Sequence, residues 1–302
     1  MFSMQSIAAA GGFMAALGFA LAGLLAAAHR RLALVEDPRI DEIEGMLPKS
    51  NCGACGVPGC RMFAEKLVSG AAQPVQCTVS APQARERIAA LLGVAVGEQE
   101  KRVARLACAG GRNLARQRAR YEGLGSCRAA HAVAGGGKDC PWGCLGLADC
   151  AEVCAFEAIR MDRHGLPVVD AERCTACNDC VEVCPKNLFS LEPVGRRLWV
   201  ACRNLAGADT AERQCEVACT ACGKCVSDSA PGLIRLVNNL AVIDYARNDL
   251  AARAAIERCP TGAIVWIEDG GSAARGAAAR KILRERDLPP VRQRECEGSL
   301  PC

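Results

Sequence analysis

The spacing of hydrophobic and polar positions changes character several times along the chain. From Ile7 to Ala28 there are 22 residues without a charge, rich in Ala, Leu and Gly. At about 1.5 Å per residue, such a run predicts a helix that just spans a hydrocarbon core. Met1 to Ser6 carries no Lys or Arg, whereas His29, Arg30 and Arg31 follow the run. A secretory signal has the reverse order, and the positive flank predicts that everything after Arg30 lies in the cytoplasm. A buried Ala-rich helix or an uncleaved export signal is the competing reading. Beyond it, residues 32–47 read as a short amphipathic connector containing Pro38. Met62 to Val68 and Ala84 to Leu92 carry helical spacing, and after a break at Gly97 a charged, strand-like run ends at Cys108. From Gly270 the chain is rich in Ala and Arg with Pro289-Pro290, which predicts a poorly ordered tail.

Composition narrows the chemistry. The 302 residues include 22 Cys, too many for ordinary cytoplasmic usage and too thinly spread for a disulfide-stapled miniprotein. Half the residues are hydrophobic (51%) but only 4% are aromatic, so the folded parts lean on Ala, Val and Leu and on whatever the cysteines bind, and bound metal can replace missing core. Lys+Arg 37 against Asp+Glu 33 leaves +4, too balanced for a nucleic-acid binder, and two Tyr and three Trp offer little for base stacking. With only His29, His131 and His164, and no Cys-x-x-Cys-His, c-type haem and His-rich zinc or copper sites are disfavoured. In a reducing cytoplasm these thiols imply metal rather than disulfides. Neither a Gly-x-Gly-x-x-Gly nor a Gly-x-x-x-x-Gly-Lys-Ser/Thr motif occurs, so no nucleotide or flavin site is expected, and the Gly135-Gly136-Gly137 triplet reads as a turn.

The cysteines fall into blocks. Cys52, Cys55 and Cys60, with Cys77 beyond a helix-like stretch, are interleaved with Gly53, Gly56 and Gly59, which let a loop curl around a cluster. Four cysteines also suit a structural zinc. Cys174, Cys177, Cys180 and Cys184-Pro185 fit C-x2-C-x2-C-x3-C-P, the bacterial ferredoxin run whose fourth Cys serves the neighbouring cluster. Its partner run is Cys140, Cys144, Cys150 and Cys154, with an expanded beginning and an intact C-x3-C end. Cross-ligation then predicts one [4Fe–4S] cluster on Cys140, Cys144, Cys150 and Cys184, and another on Cys174, Cys177, Cys180 and Cys154.

A third run is eroded. Cys219, Cys222 and Cys225 begin it, Ser229 stands in the fourth place, and Cys259-Pro260 ends a second run whose three leading cysteines are missing. By the same rule Cys219, Cys222, Cys225 and Cys259 hold one cluster and the other is gone. Alternatively Cys259 is a buried small hydrophobe and Cys215 completes the set. Cys108, Cys127, Cys202 and Cys215 remain outside clear motifs: either a further cluster assembled from distant segments or buried free thiols. Cys296 and Cys302 have no assigned role. The expectation is therefore at least three [4Fe–4S] clusters, with four from the motifs and a fifth from the leftover set.

These residues carry a resemblance. The uncharged anchor, Cys52-Gly-Ala-Cys55-Gly-Val-Pro-Gly-Cys60 with Cys77, Tyr121-Glu-Gly123, Gly-Gly-Gly-Lys-Asp-Cys140, Gly143-Cys144-Leu-Gly146 and the run to Cys184 resemble the B subunit of the Rnf (Rsx) electron transport complex, in its longer form, up to about residue 268. The departure is the missing cluster set near Ser229. The resemblance implies a component of an ion-translocating ferredoxin:NAD oxidoreductase, coupled to Na⁺ or H⁺, at the cytoplasmic face of the inner membrane. Its implied partners are the other subunits of that complex and a soluble ferredoxin or flavodoxin. The residues themselves support a one-electron wire, with no catalytic acid–base constellation on this chain. Competing classes are an electron-donating subunit of another membrane oxidoreductase, including one that reduces a transcription factor, a membrane-tethered redox sensor, and a zinc-rich tethered scaffold.

The expected fold class is α+β: a transmembrane helix, a small four-cysteine Fe–S domain, then ferredoxin-like modules. The expected divisions are an anchor at 1–31, a four-cysteine [4Fe–4S] domain at 32–93 and a linker or insert at 94–139. A two-cluster ferredoxin-like domain at 140–190, a degenerate one-cluster domain at 191–268 and a tail at 269–302 complete the chain. Arg112, Arg116, Arg118, Arg120 and Lys138 are candidates for docking an acidic ferredoxin, against the simpler reading of a solvated face.

Overall fold

The computed structural model describes residues 4–32, 36–281 and 284–288. Helix α1 (Met4–Leu32) contains the apolar span Gly11–Arg31, of mean hydropathy 1.9 and with none of it buried against the rest of the protein. It is long and apolar enough to cross a membrane, and a core helix of this composition would be covered.

Three short helices follow: α2 (Pro38–Met46), α3 (Cys60–Val68) and α4 (Pro82–Leu92). Asp37 starts the first by accepting the Arg39 amide at 2.9 Å. Arg61 then ties α3 to the preceding acidic face through Glu36, Asp41 and Glu44. Ile43, Phe63, Leu67 and Ile88 close a small core that includes Cys77.

The rest of the chain is built as two ferredoxin-like units of the same plan. The first runs through β1 (Arg102–Leu106), α5 (Cys127–Ala132), α6 (Asp149–Glu152), the hairpin β2 (Ile159–Met161) and β3 (Pro167–Val169), α7 (Asp179–Val183) and β4 (Phe189–Pro193). Strand β4 returns antiparallel to β1, with Leu106 opposite Phe189. The second runs through β5 (Leu198–Val200), α8 (Ala208–Gln214), α9 (Lys224–Ser227), the hairpin β6 (Ile234–Val237) and β7 (Leu240–Ile243), α10 (Ala254–Glu257) and β8 (Ile264–Ile267). Here β8 pairs antiparallel with β5, Val200 opposite Ile264. Asn238 and Asn239, both at positive φ (49° and 61°), make the tight two-residue turn of the second hairpin.

The two units share a core. Residues Ala107 to Ala115 of the first pack with Leu198, Val217, Leu233 and Ile256 of the second, and the Trp199 indole donates to the Leu106 carbonyl at 2.9 Å.

Two expectations need correction. The stretch 94–139 is more than a linker, because the strand-like run expected to end at Cys108 forms β1 and so completes the sheet of the first unit. The start of the tail is also ordered onto the protein. Strand β9 (Ala273–Ala274) pairs with β8, Ala279 is fully buried, and Leu288 donates its amide to the Arg112 carbonyl. Composition predicted disorder there, but small alanines are what this close approach requires. Cys296 and Cys302 lie outside the described residues.

Candidate iron–sulfur centres

The 20 described cysteines are all free thiols, and they gather in groups of four. In the first group, Gly53, Gly56 and Gly59 all take positive φ, which curls the loop so that the Cys55, Cys60 and Cys77 side chains face the same small core. Asn51 accepts the Cys60 amide at 2.8 Å and the Ser80 hydroxyl lies 3.0 Å from Cys77 Sγ. Cys52 and Cys77 lie close enough for their charges to push the Cys55 thiol up, after burial, which is the larger cause.

A second cavity is lined by Cys154, Cys174, Cys177 and Cys180. Cys154 comes from the first run and the other three from the second, the crossed arrangement expected from the spacing. In both regular runs an alanine precedes the second cysteine, Ala176 at φ 59° and Ala221 at φ 50°. Left-handed backbone at a non-glycine costs about 1–2 kcal/mol and persists where the surroundings over-determine it. The third cysteine of each set then opens a short helix and is buried: Cys150, Cys180 and Cys225.

The third cavity corrects the expected grouping. It is lined by Cys127, Cys144, Cys150 and Cys184, so Cys127 stands where spacing placed Cys140. The reason is Asp149: its carboxylate accepts the amides of Cys127 (2.8 Å) and Arg128 (3.2 Å) and the Ser126 hydroxyl (3.0 Å), seating the first turn of α5 against α6, the short helix that carries Cys150. Burial works against that carboxylate, but these hydrogen bonds outweigh it and hold its pKa below the usual range.

Cys140 lies instead in a fourth cavity, with Cys108, Cys202 and Cys215. The two units contribute equally and in the same way. Cys108 is two residues past the end of β1 and Cys202 two past β5; Cys140 precedes Cys144 by four residues and Cys215 precedes Cys219 by four. Asn204, 1% exposed, donates its side-chain amide to Cys140 Sγ at 3.5 Å and to Gln214 Oε1 at 2.9 Å. Backbone amides of Cys144 and Cys219 reach Cys108 Sγ (3.4 Å) and Cys202 Sγ (3.3 Å). Lys138, expected on a docking surface, is buried against this cavity. Of its companions, Arg112 pairs with Asp287 and Arg120 with Glu122.

The last cavity holds Cys219, Cys222, Cys225 and Cys259, with Cys215 elsewhere. Cys222 is its exposed member.

Burial pushes the thiols of Cys144, Cys150, Cys180, Cys202, Cys215 and Cys225 up to about 12, and Cys177 to about 11. Such groups stay protonated at neutral pH unless a cation takes the proton's place. Four cysteines around one cavity, in ferredoxin spacing, suit a [4Fe–4S] cluster. Amide donors to sulfur also line the sites, from Ala104 to Cys174 (3.4 Å), Ala158 to Cys154 (3.3 Å) and Leu188 to Cys184 (3.5 Å). Hydrogen bonds to the sulfurs are one means by which a protein sets cluster potential. These features define an iron–sulfur electron-transfer protein carrying an apolar helix of membrane-crossing length.

Comparison with known proteins agrees. A family model for an Fe–S cluster matches residues 47–79, and one for a 4Fe-4S binding domain matches residues 166–189. The B subunit of the Na(+)-translocating ferredoxin:NAD(+) oxidoreductase complex of Acetobacterium woodii is 36% identical over 83% of this chain and 75% of its own length. The B subunit of the ion-translocating oxidoreductase complex of Methanosarcina acetivorans is 34% identical over 83% of this chain and 95% of its own. The B subunit of the proton-translocating ferredoxin:NAD(+) oxidoreductase complex of Clostridium ljungdahlii is 36% identical, covering 85% and 91%. The chain belongs to the family of B subunits of the ion-translocating oxidoreductase (Rnf) complexes.

Proposed function

We propose that the chain is a membrane-tethered wire of five [4Fe–4S] clusters that relays electrons between ferredoxin and NAD in an Rnf-type complex, from the cytoplasmic side of the inner membrane. Three hydrogen bonds and one shared helix support a linear order. Thr78 beside Cys77 donates to the Thr175 carbonyl beside Cys174 (2.5 Å). Cys150, inside one short helix, and Cys154, just past its end, serve adjacent cavities. The Cys144 amide meets Cys108 Sγ, and the Cys219 amide meets Cys202 Sγ. The order is therefore the Cys52–Cys77 site, the Cys154/Cys174–Cys180 site, the Cys127/Cys144/Cys150/Cys184 site, the shared site and the Cys219–Cys259 site.

The observation that carries the reading is the shared cavity of Cys108, Cys140, Cys202 and Cys215. Without a cluster there, two ferredoxin-like units would be separated by an empty step; with one, the chain conducts from end to end. The relatives at 36% identity carry names with Na(+) and with proton as the coupling ion, and a wire of this kind serves either. Basic residues around the first unit, Arg116 and Arg118 among them, would steer an acidic ferredoxin or flavodoxin.

Iron analysis of the reconstituted full chain tests the proposal. Five cubanes bring about 20 iron atoms and four bring about 16, and Cys202→Ser should lower the wild-type figure by about one cubane. An unchanged iron content in Cys202→Ser would remove the shared cluster and with it the continuous wire.

A further inference from the structure

Lys138 is 6% exposed, and lysine is almost never that buried without a partner. Its ammonium donates to the carbonyls of Gly110 (2.5 Å) and Cys144 (2.6 Å), and among the described residues no carboxylate stands within ion-pairing distance. The side chain lines the shared cavity alongside Cys108, Cys140, Cys202 and Cys215, and its stem packs under Gly143, where an added Cβ would lie 3.0 Å from its Cε. Two backbone carbonyls fix the nitrogen's position but do not neutralise it. The negative charge that would do so is that of four thiolates and the cluster they bind, since an oxidised [4Fe–4S] core with four thiolates is a dianion and takes up one further negative charge on reduction.

We infer that Lys138 is a built-in counter-cation of the shared cluster and raises that cluster's reduction potential. A fixed positive charge at short range in a low-dielectric interior stabilises the reduced state more than the oxidised one. Because the charge is buried, salt should screen it little. Lys138 is a positioning and tuning residue rather than a ligand, and the inference rests on the shared cluster proposed above.

The test is a redox titration followed by EPR on the reconstituted full chain, in wild type, Lys138→Gln and Lys138→Arg. Cys202→Ser identifies the signal of the shared cluster and, if it leaves the iron content unchanged, overturns the five-cluster reading and this inference together. With that signal in hand, Lys138→Gln should shift its reduced-to-oxidised ratio at least tenfold toward the oxidised form, about 59 mV for one electron. Lys138→Arg should restore most of the shift, and the neighbouring clusters should move less. Loss of the shared cluster in the Gln variant with retention in the Arg variant also supports a charge role. An unshifted potential in Lys138→Gln, or loss of the cluster in both variants alike, overturns the inference, because the side chain would then serve shape alone.

Discussion

Replacing Asp149 by Ala should empty or loosen one cluster while leaving its four cysteines in place. The carboxylate accepts three hydrogen bonds, from the Cys127 amide, the Arg128 amide and the Ser126 hydroxyl, at 2.8, 3.2 and 3.0 Å. Hydrogen bonds to a charged group are worth about 1.5–3 kcal/mol each when buried. Asp149 is half-buried and the freed amides at the start of α5 can turn to water, so the realistic cost is nearer about 2 kcal/mol in total. That is still roughly thirtyfold in the population of the seated helix, and Cys127 is delivered to its cavity by that helix alone. The expected result is a selective loss of up to one cubane of iron, or a broadened EPR signal matching the one lost in Cys127→Ser, with the remaining clusters intact. Asp149→Asn, which keeps one acceptor oxygen, should fall between. Full iron content and unchanged EPR spectra in Asp149→Ala would refute the reasoning, and so would a signal loss shared with Cys140→Ser instead of Cys127→Ser.

Two further outcomes follow from the geometry. Gly276→Ala drives a Cβ into the Ile256 carbonyl oxygen, well inside van der Waals contact, so it should cost about 1–3 kcal/mol by overpacking and lower the melting temperature of the loaded chain, whereas Gly125→Ala, with open space around it, should not. The iron-free chain should lose stability in alkali. Thiols whose ordinary value is 9.0 are held up to about 12 by burial, as at Cys150, Cys180 and Cys225, so their contribution is complete below pH 9 and falls by about 1.4 kcal/mol per thiol per pH unit as pH rises toward 12; a urea midpoint that does not drop between pH 8 and 10 would contradict this.

How much of this was legible in the sequence depends on whether the chain kept its ferredoxin spacing. Where C-x2-C-x2-C survives, at Cys174–Cys180 and Cys219–Cys225, the cross-over of the fourth cysteine brings Cys154 and Cys259 into the expected cavities. Helix limits were legible for the same reason, Ala84 to Leu92 being observed as Pro82–Leu92. Where an insertion had opened the first run, spacing pointed to the nearest cysteine, Cys140, and the structure seats Cys127 from 13 residues upstream. The hydrogen bonds that seat it come from one aspartate, and nothing in sequence spacing encodes them. A usable signal did exist: a cysteine two residues after the first strand of each unit, and a Cys-x3-Cys before each first cluster loop, repeat at Cys108 and Cys202 and at Cys140–Cys144 and Cys215–Cys219. It becomes visible only once β1, read in the sequence as a strand-like run within a linker, is known to be equivalent to β5. Lys138 and Asn204 had no such signal, because a lone polar residue is solvated unless topology buries it.

The cage assembled from two cysteines of each ferredoxin-like unit also has a consequence for how the protein is made. Each unit on its own offers half a coordination sphere, so neither can retain this cluster while its sibling is still unfolded or unsynthesised. In the proposed five-cluster wire, iron insertion at Cys108, Cys140, Cys202 and Cys215 would therefore be a checkpoint passed only by a chain that has been translated through β8 and whose two halves have docked. Once inserted, such a cluster would act as a rivet. It would fix the gap between the halves, and because tunnelling between centres falls steeply with distance, it would also fix the conductance of the finished molecule.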